Sequence, residues 1–363
     1  MIAIIVATPL QLFNAMIIMR HHFKGEKADM FVLNIACDMR LIIEKYQKLD
    51  CINRVYYLDD VCRHDHNRFK IVWDFIHTTS QQRKWLKEVK SKSYTDLFST
   101  WVGKISTWLY TKLLKTNPYI KVHFYEEGLG VYTRDMYPDT NGLLFMFKLL
   151  GYKFEANYLQ DLYLYNPALA THNKDLDHKA IGYVTSGDIK YFSKVVGIEK
   201  IIPYTVNAIY FENDFRRTVF EGINEIEIIN RIISSIGNDN LIVRMHPRNP
   251  VDKYSGYPYQ IDKNTTNSWE DILAGDSNWD DMTLITLNST AVFSPKLIYN
   301  KEPRIMILGK VIMNEYASNT WASAFWSNSY ATFVEGIKRV YRNSSNVLIP
   351  ENFNEMENIL KLK

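Results

Sequence analysis

The chain opens on an apolar run without polar alternation, Ile2 to Ala7, and continues with apolar residues at helical spacing from Leu10 to Arg20. The run reads as a strand buried on both faces, and the spacing after it as a helix packed on the sheet. Short runs of the same type recur at Met30–Ile35, Val55–Leu58 and Lys121–Tyr125, separated by longer helix-spaced segments. This succession predicts a parallel sheet covered by helices. From Asn166 to Pro203 the periodicity weakens, and Pro167, Gly182, Gly187, Gly197 and Pro203 punctuate the chain, which places a domain boundary in that stretch. A second series follows, with a helix from Glu221 to Ile236, strands at Leu241–Met245 and Thr283–Leu287, a helix over Ala291–Tyr299 and a strand at Arg304–Leu308. The pattern predicts an α/β chain of two doubly wound, Rossmann-like domains, 1–180 and 181–363. They are expected to face each other across a cleft, with ligands outside the carboxyl ends of the strands.

Composition agrees with two cores: 363 residues, 47% of them apolar, exclude global disorder. The formal charge of +3 is too balanced for a chain that coats nucleic acid. The imbalance is local. Between Arg83 and Lys115 eight basic residues stand against Glu88 and Asp96, with Trp85, Trp101, Trp108 and Tyr110 interleaved. This segment reads either as a solvated helical face over core aromatics or as a patch for a membrane surface or an anionic acceptor. Cys37, Cys51 and Cys62 form no CxxC and have no His at zinc-site spacing, so neither a disulfide framework nor a bound metal is expected. The opening residues lack a basic n-region, and Thr8, Pro9, Gln11 and Asn14 interrupt them. The expected location is cytoplasmic. Peripheral attachment at the inner face of a membrane through Arg83–Lys115, and a homodimer, stay open.

Candidate chemistry stands at four predicted strand ends. After the first strand come Thr8, Pro9, Gln11 and Asn14, polar groups that either face a ligand or simply start a helix. After Lys121–Tyr125 come Glu126, Glu127 and Gly128. Adjacent carboxylates repel, which raises a pKa toward the range useful for proton abstraction, and the glycine allows close approach. The strand Leu241–Met245 ends in His246-Pro247, flanked by Arg244 and Arg248, a group suited to a phosphate. The strand Thr283–Leu287 runs into Asn288, Ser289 and Thr290 at a helix start, where free amides and hydroxyls attract an anion. Glu270 lies between these last two groups as a capping-box acid or an acceptor for sugar hydroxyls.

The order TP-x-Q, (D/E)(D/E)G, HP, a Glu 24 residues later and hydroxyl residues 19 and 20 beyond it resembles the bacterial sialyltransferases of GT-B fold. It is most similar to glycosyltransferase family 52, which includes lipooligosaccharide sialyltransferases. The polysialyltransferase family and family 80 share the (D/E)(D/E)G and HP motifs. The resemblance implies transfer of sialic acid from CMP-sialic acid to a glycan hydroxyl, a galactoside by the likeness to family 52, in surface polysaccharide or lipooligosaccharide synthesis. It implies inversion, with no metal and no cofactor beyond the donor substrate. On the matching positions Glu127 would be the general base and His246 would act on the CMP phosphate. Glu270 would hold the ribose, while Ser289 and Thr290, with Arg244 nearby, would bind the donor. Gln11, Asn14 and Glu126 would lie on the acceptor side. Some members place the base in the second half of the chain, and Asp214 is the reserve candidate here. Glu-Glu stands where an Asp is common, and Ser-Thr where Ser-Ser is common. A transferase of another nucleotide sugar and a non-catalytic glycan- or anion-binding protein are the alternatives. The nearest approach to a metal-binding DxD, Asp59-Asp60, lacks the spacing.

Overall fold

The computed structural model describes residues 1–33, 39–58, 73, 76–77, 79–80, 83–100, 103–135, 148–197, 204–213, 222–246, 249, 252–262, 267–275, 279–319 and 322–362. The chain divides into two compact units, Met1–Gly182 and Tyr183–Lys363.

The first unit carries a seven-stranded sheet built from β1 (Ile2–Val6), β2 (Ala28–Leu33), β3 (Ile52–Leu58), β4 (Asp96–Ser99), β5 (Lys121–Tyr125), β6 (Leu159–Leu164) and β7 (Asp177–Ala180), in the order β3-β2-β1-β4-β5-β6-β7. Every pairing is parallel. The second unit pairs β8 (Ala208–Phe211), β9 (Leu241–Arg244), β10 (Gln260–Ile261), β11 (Thr283–Thr286), β12 (Arg304–Ile307) and β13 (Val347–Leu348) in the order β10-β9-β8-β11-β12-β13, also wholly parallel. In each sheet the strand order turns back beside the unit's first strand, between β1 and β4 and between β8 and β11. These switch points open a crevice at the carboxyl ends of the strands. The two-domain Rossmann-like composition of the GT-B class is thus present.

The apolar runs form strands because they are covered on both faces: all five residues of β1 and all four of β8 are buried. The helix Pro9–His22 begins on Thr8, whose hydroxyl accepts from the Gln11 amide, and Pro9 occupies the first turn. In the second unit the helix Glu225–Ile236 buries Ile228, Ile229 and Ile232 against Tyr210, Val243 and Ile285 of the sheet. Each such isoleucine contributes roughly 1.5–3 kcal/mol.

The basic segment departs from a single solvated face. It comprises the helix Arg83–Lys90, strand β4 and the helix Lys104–Leu114, with Trp108 and Tyr110 in the core. Trp101 lies outside the described residues. The strand edges were also hidden in the pattern, since β7 is Asp-His-Lys-Ala with no buried position.

Candidate active site

In the first unit the predicted residues of β1 and β5 meet. Gln11 uses both ends of its amide, its Oε1 accepting from the Ala7 amide at 2.6 Å and its Nε2 donating to Glu127 Oε2 at 3.0 Å. Asn14 Nδ2 donates to the Glu126 carbonyl at 2.8 Å, and its Oδ1 accepts from the Tyr165 hydroxyl at 2.9 Å. Gln11 and Asn14 are 3% and 0% exposed. One bond of each runs to the Glu126-Glu127 turn, so Gln11 and Asn14, expected on the acceptor side, are buried residues tied to that turn. Gly128 follows with φ +126°, a backbone conformation that disfavours side chains.

The two adjacent carboxylates have different surroundings. Glu127 is half-buried and Glu126 is buried. Glu126 Oε2 accepts from the Tyr132 hydroxyl and, at 2.9 Å, from the Tyr165 amide. Burial pushes its carboxyl up to about 7, against the pull of those two donors. Glu126, expected on the acceptor side, thus has its Oε2 engaged by two internal donors.

In the second unit the residues at the ends of β8, β9 and β11 converge on the switch point. Asn213, two residues past β8, donates from Nδ2 to Asn288 Oδ1 beyond β11 at 2.5 Å. His246 is half-buried. Its amide donates to Glu212 Oε2 at 2.8 Å and its carbonyl accepts from the Asn249 amide at 2.9 Å. The other oxygen of Glu212 accepts from Lys253 and, at 2.9 Å, from Tyr254. Lys253 also reaches Glu225 at 2.6 Å, and Tyr210 and Tyr254 donate to that carboxylate. Burial, with the neighbouring Glu212 charge, raises Glu225 to about 7 despite Lys253.

Ser289 and Thr290 are half-buried where β11 gives way to the turn Thr290–Phe293. The Ser289 hydroxyl accepts from the Ala291 amide at 3.4 Å, and its own amide is held by Thr286 Oγ1 at 2.8 Å. Arg244 ion-pairs with Asp262, donates to Tyr204 and the Asn267 carbonyl at 3.2 Å each, and lies over the Trp269 ring at 5.5 Å. The structure therefore shows it bracing the segment that leads to Glu270. Glu270 is buried on the helix Trp269–Gly275, and burial raises its carboxyl to about 7. The reserve base Asp214, and Pro247, Arg248, Asp59 and Asp60, lie outside the described residues.

Sequence reasoning missed Tyr132, Tyr165, Glu212, Asn249 and Lys253. Glu212 carried the signal that singled out Glu126, an acid placed directly after an apolar strand, in the segment that yielded Asp214.

In the first unit a cavity of about 470 Å³ is lined by Lys87, Lys90, Lys112, Trp108 and Tyr152 among others. Burial, with Lys115 and Lys90 close by, lowers the Lys112 ammonium. No helix among the described residues is long and apolar enough to cross a membrane.

The family model described as Alpha-2,8-polysialyltransferase (POLYST) matches residues 4–302, a span that contains all the candidate residues from Gln11 to Thr290. No curated protein matches the sequence. Among solved structures, the chain is similar to a UDP-GlcNAc 2-epimerase from Methanocaldococcus jannaschii, at 12% identity and TM-score 0.47 over 100% of this chain and 99% of that one. It is also similar to MurG from Acinetobacter baumannii, at 10% identity and TM-score 0.41 over 99% and 88%. The wall teichoic acid polymerase TagF gives 11% identity and TM-score 0.44 over 99% and 87%.

Proposed function

Because the chain belongs to the alpha-2,8-polysialyltransferase family, we propose that it transfers sialic acid from CMP-sialic acid to a glycan hydroxyl, with inversion and without a metal. The observation that carries this reading is that the family match spans both strand-end clusters. The family's description favours a sialic acid-ended acceptor. The narrower likeness to family 52 supplies a galactoside as the second acceptor to try.

In the reaction the bond from the sugar to the CMP phosphate breaks as the acceptor oxygen attacks from the opposite face. A sugar hydroxyl is a poor nucleophile at neutral pH, and its proton passes to Glu127, the half-buried carboxylate that Gln11 orients. Gln11, Asn14 and Glu126 act as positioning groups. Negative charge gathers on the departing phosphate, and His246, with the hydroxyls of Ser289 and Thr290, stabilises it. Arg244 holds the backbone before the Trp269–Gly275 helix, which carries Glu270 toward the ribose side.

Incubation with CMP-sialic acid and a panel of sialyl and galactosyl acceptors, read by mass, tests this. Products heavier by whole sialic acid residues, formed equally in EDTA, are expected. Transfer only from a uridine diphosphate sugar, or only with added Mg²⁺ or Mn²⁺, would overturn it.

Peripheral attachment to an anionic membrane belongs to the same proposal. Lys87, Lys90 and Lys112 support it, as do Leu149 and Leu150, which are 71% and 54% exposed in sequence next to Tyr152 of the basic cavity. Co-sedimentation with phosphatidylserine vesicles should fall for Lys87→Glu with Lys90→Glu. Equal sedimentation of the variant would refute this attachment.

A further inference from the structure

The parallel ladder between β8 and β9 does not stop where the strands do. The Glu212 amide donates to the Arg244 carbonyl at 3.0 Å, which is the next rung after the pairing of Phe211 with Arg244. A continuing parallel ladder would then join the His246 amide to the Glu212 carbonyl. Here the acceptor is the Glu212 side chain, Oε2 at 2.8 Å. The main chain is thus free to leave the sheet at His246 while its amide stays bound.

From this geometry we infer that Glu212 is the positioning residue for His246, and that Lys253 and Tyr254 fix the Glu212 carboxylate in that task. The inference rests on the reading that His246 acts on the donor phosphate. Glu212 is 2% exposed, and both its oxygens are engaged. A buried carboxylate with a single role in stability would be served by the contacts to Lys253 and Tyr254 alone. Its second oxygen instead binds the one amide that sets where the imidazole leaves the strand. The other side of His246 is tied as well. Its carbonyl accepts from the Asn249 amide, and Asn249 Nδ2 donates to the Asn213 carbonyl at 2.7 Å. The main chain of His246 is therefore held at both ends to the residues that follow β8. An imidazole misplaced by about 1 Å loses much of its effect on a developing charge.

Three variants test the assignment: Glu212→Ala, Glu212→Gln and His246→Ala, with the double variant Glu212→Ala/His246→Ala. Glu212→Gln keeps an acceptor oxygen for the His246 amide, so it should retain turnover within about tenfold of the parent. Glu212→Ala should lose about 10- to 100-fold in kcat with donor KM changed less than about threefold. The double variant should be no slower than His246→Ala, because the two residues act as one unit. Additive losses in the double variant, or full kcat in Glu212→Ala, would overturn the assignment. Should Glu212→Ala fail to fold, Glu212→Asp, whose shorter side chain cannot span the His246 amide and Lys253 together, paired with His246→Ala gives the cycle, with additivity again the contrary result. Normal turnover in His246→Ala itself would instead sink the phosphate role on which this inference rests.

Discussion

At the end of β5 the buried Glu126 is held by donors without charge, the Tyr132 hydroxyl and the Tyr165 amide, whereas at the end of β8 the buried Glu212 faces the Lys253 ammonium. Both carboxylates sit immediately after a buried strand and beside a candidate catalytic side chain, Glu127 in one unit and His246 in the other. Neutral donors do not offset the lost hydration, and the Glu126 carboxyl rises to about 7. In the second unit one cation serves two acids, and burial, with Glu212 next to it, raises Glu225 to about 7 as well. A proton can therefore be held close behind the proposed base in the first unit, while the second unit places one ammonium shared by two acids behind the phosphate-side histidine.

Apart from loss of the base itself, the largest effect should come from the histidine that the charged cluster supports. Removing a group that meets charge developing in the transition state typically costs about 10²–10³ in kcat. His246→Ala should fall in that range with its melting temperature nearly unchanged, checked by steady-state kinetics and calorimetry. A variant that simply unfolds would show that His246 belongs to the core. Lys253→Met comes next, since it leaves Glu212 and Glu225 facing each other without a cation. Breaking a buried pair costs about 3 kcal/mol at the lower end, and that end applies because the Lys253 side chain is 22% exposed. Urea unfolding should show a loss of that size, and an unchanged midpoint would erase the distinction between the two units.

Glu126→Gln should have the smallest effect, visible in pH dependence. Folding holds a proton on Glu126 that the unfolded chain releases near 4.5, so its contribution to stability is full below that pH and is lost as pH rises through about 7. Glu225 has the same sign. The parent should therefore lose stability between about pH 5 and pH 7.5, and Glu126→Gln, which has no proton to lose, should lose less. Unfolding midpoints at both pH values check this. Equal slopes would mean that Glu126 is charged throughout.

The elements readable in the sequence were those buried on both faces. Of the runs that became β1, β5 and β11, every residue but Lys121 is buried, because a parallel sheet leaves them no solvent side. β4 is four residues long between lysine-rich helices, and β10 and β13 are two-residue strands at sheet edges. None of these has room for a period. Strand ends were readable for the same reason as central strands, so Glu127, His246 and Ser289 could be picked out. Their supports could not. Gln11 meets Glu127 across 116 positions and Lys253 meets Glu212 across 41, and those pairings exist only once the strands have found their neighbours. The burial of Gln11, Asn14 and Glu126 was likewise invisible, because polar side chains after a strand read as exposed until the helix Pro9–His22, which carries Gln11 and Asn14, is packed on the sheet.

The division of roles between the two units turns on which carboxylate takes the acceptor's proton, and the rate of sialyl transfer at saturating CMP-sialic acid measures this most directly. Glu127→Gln keeps the size and polarity of the side chain and removes the base, which is typically worth about 10²–10⁴-fold. The account predicts a fall in kcat of that order, with CMP binding near that of the parent, and an Asp214→Asn variant that still turns over. Near-normal transfer by Glu127→Gln together with its loss in Asp214→Asn would put the base in the second half of the chain and contradict the account.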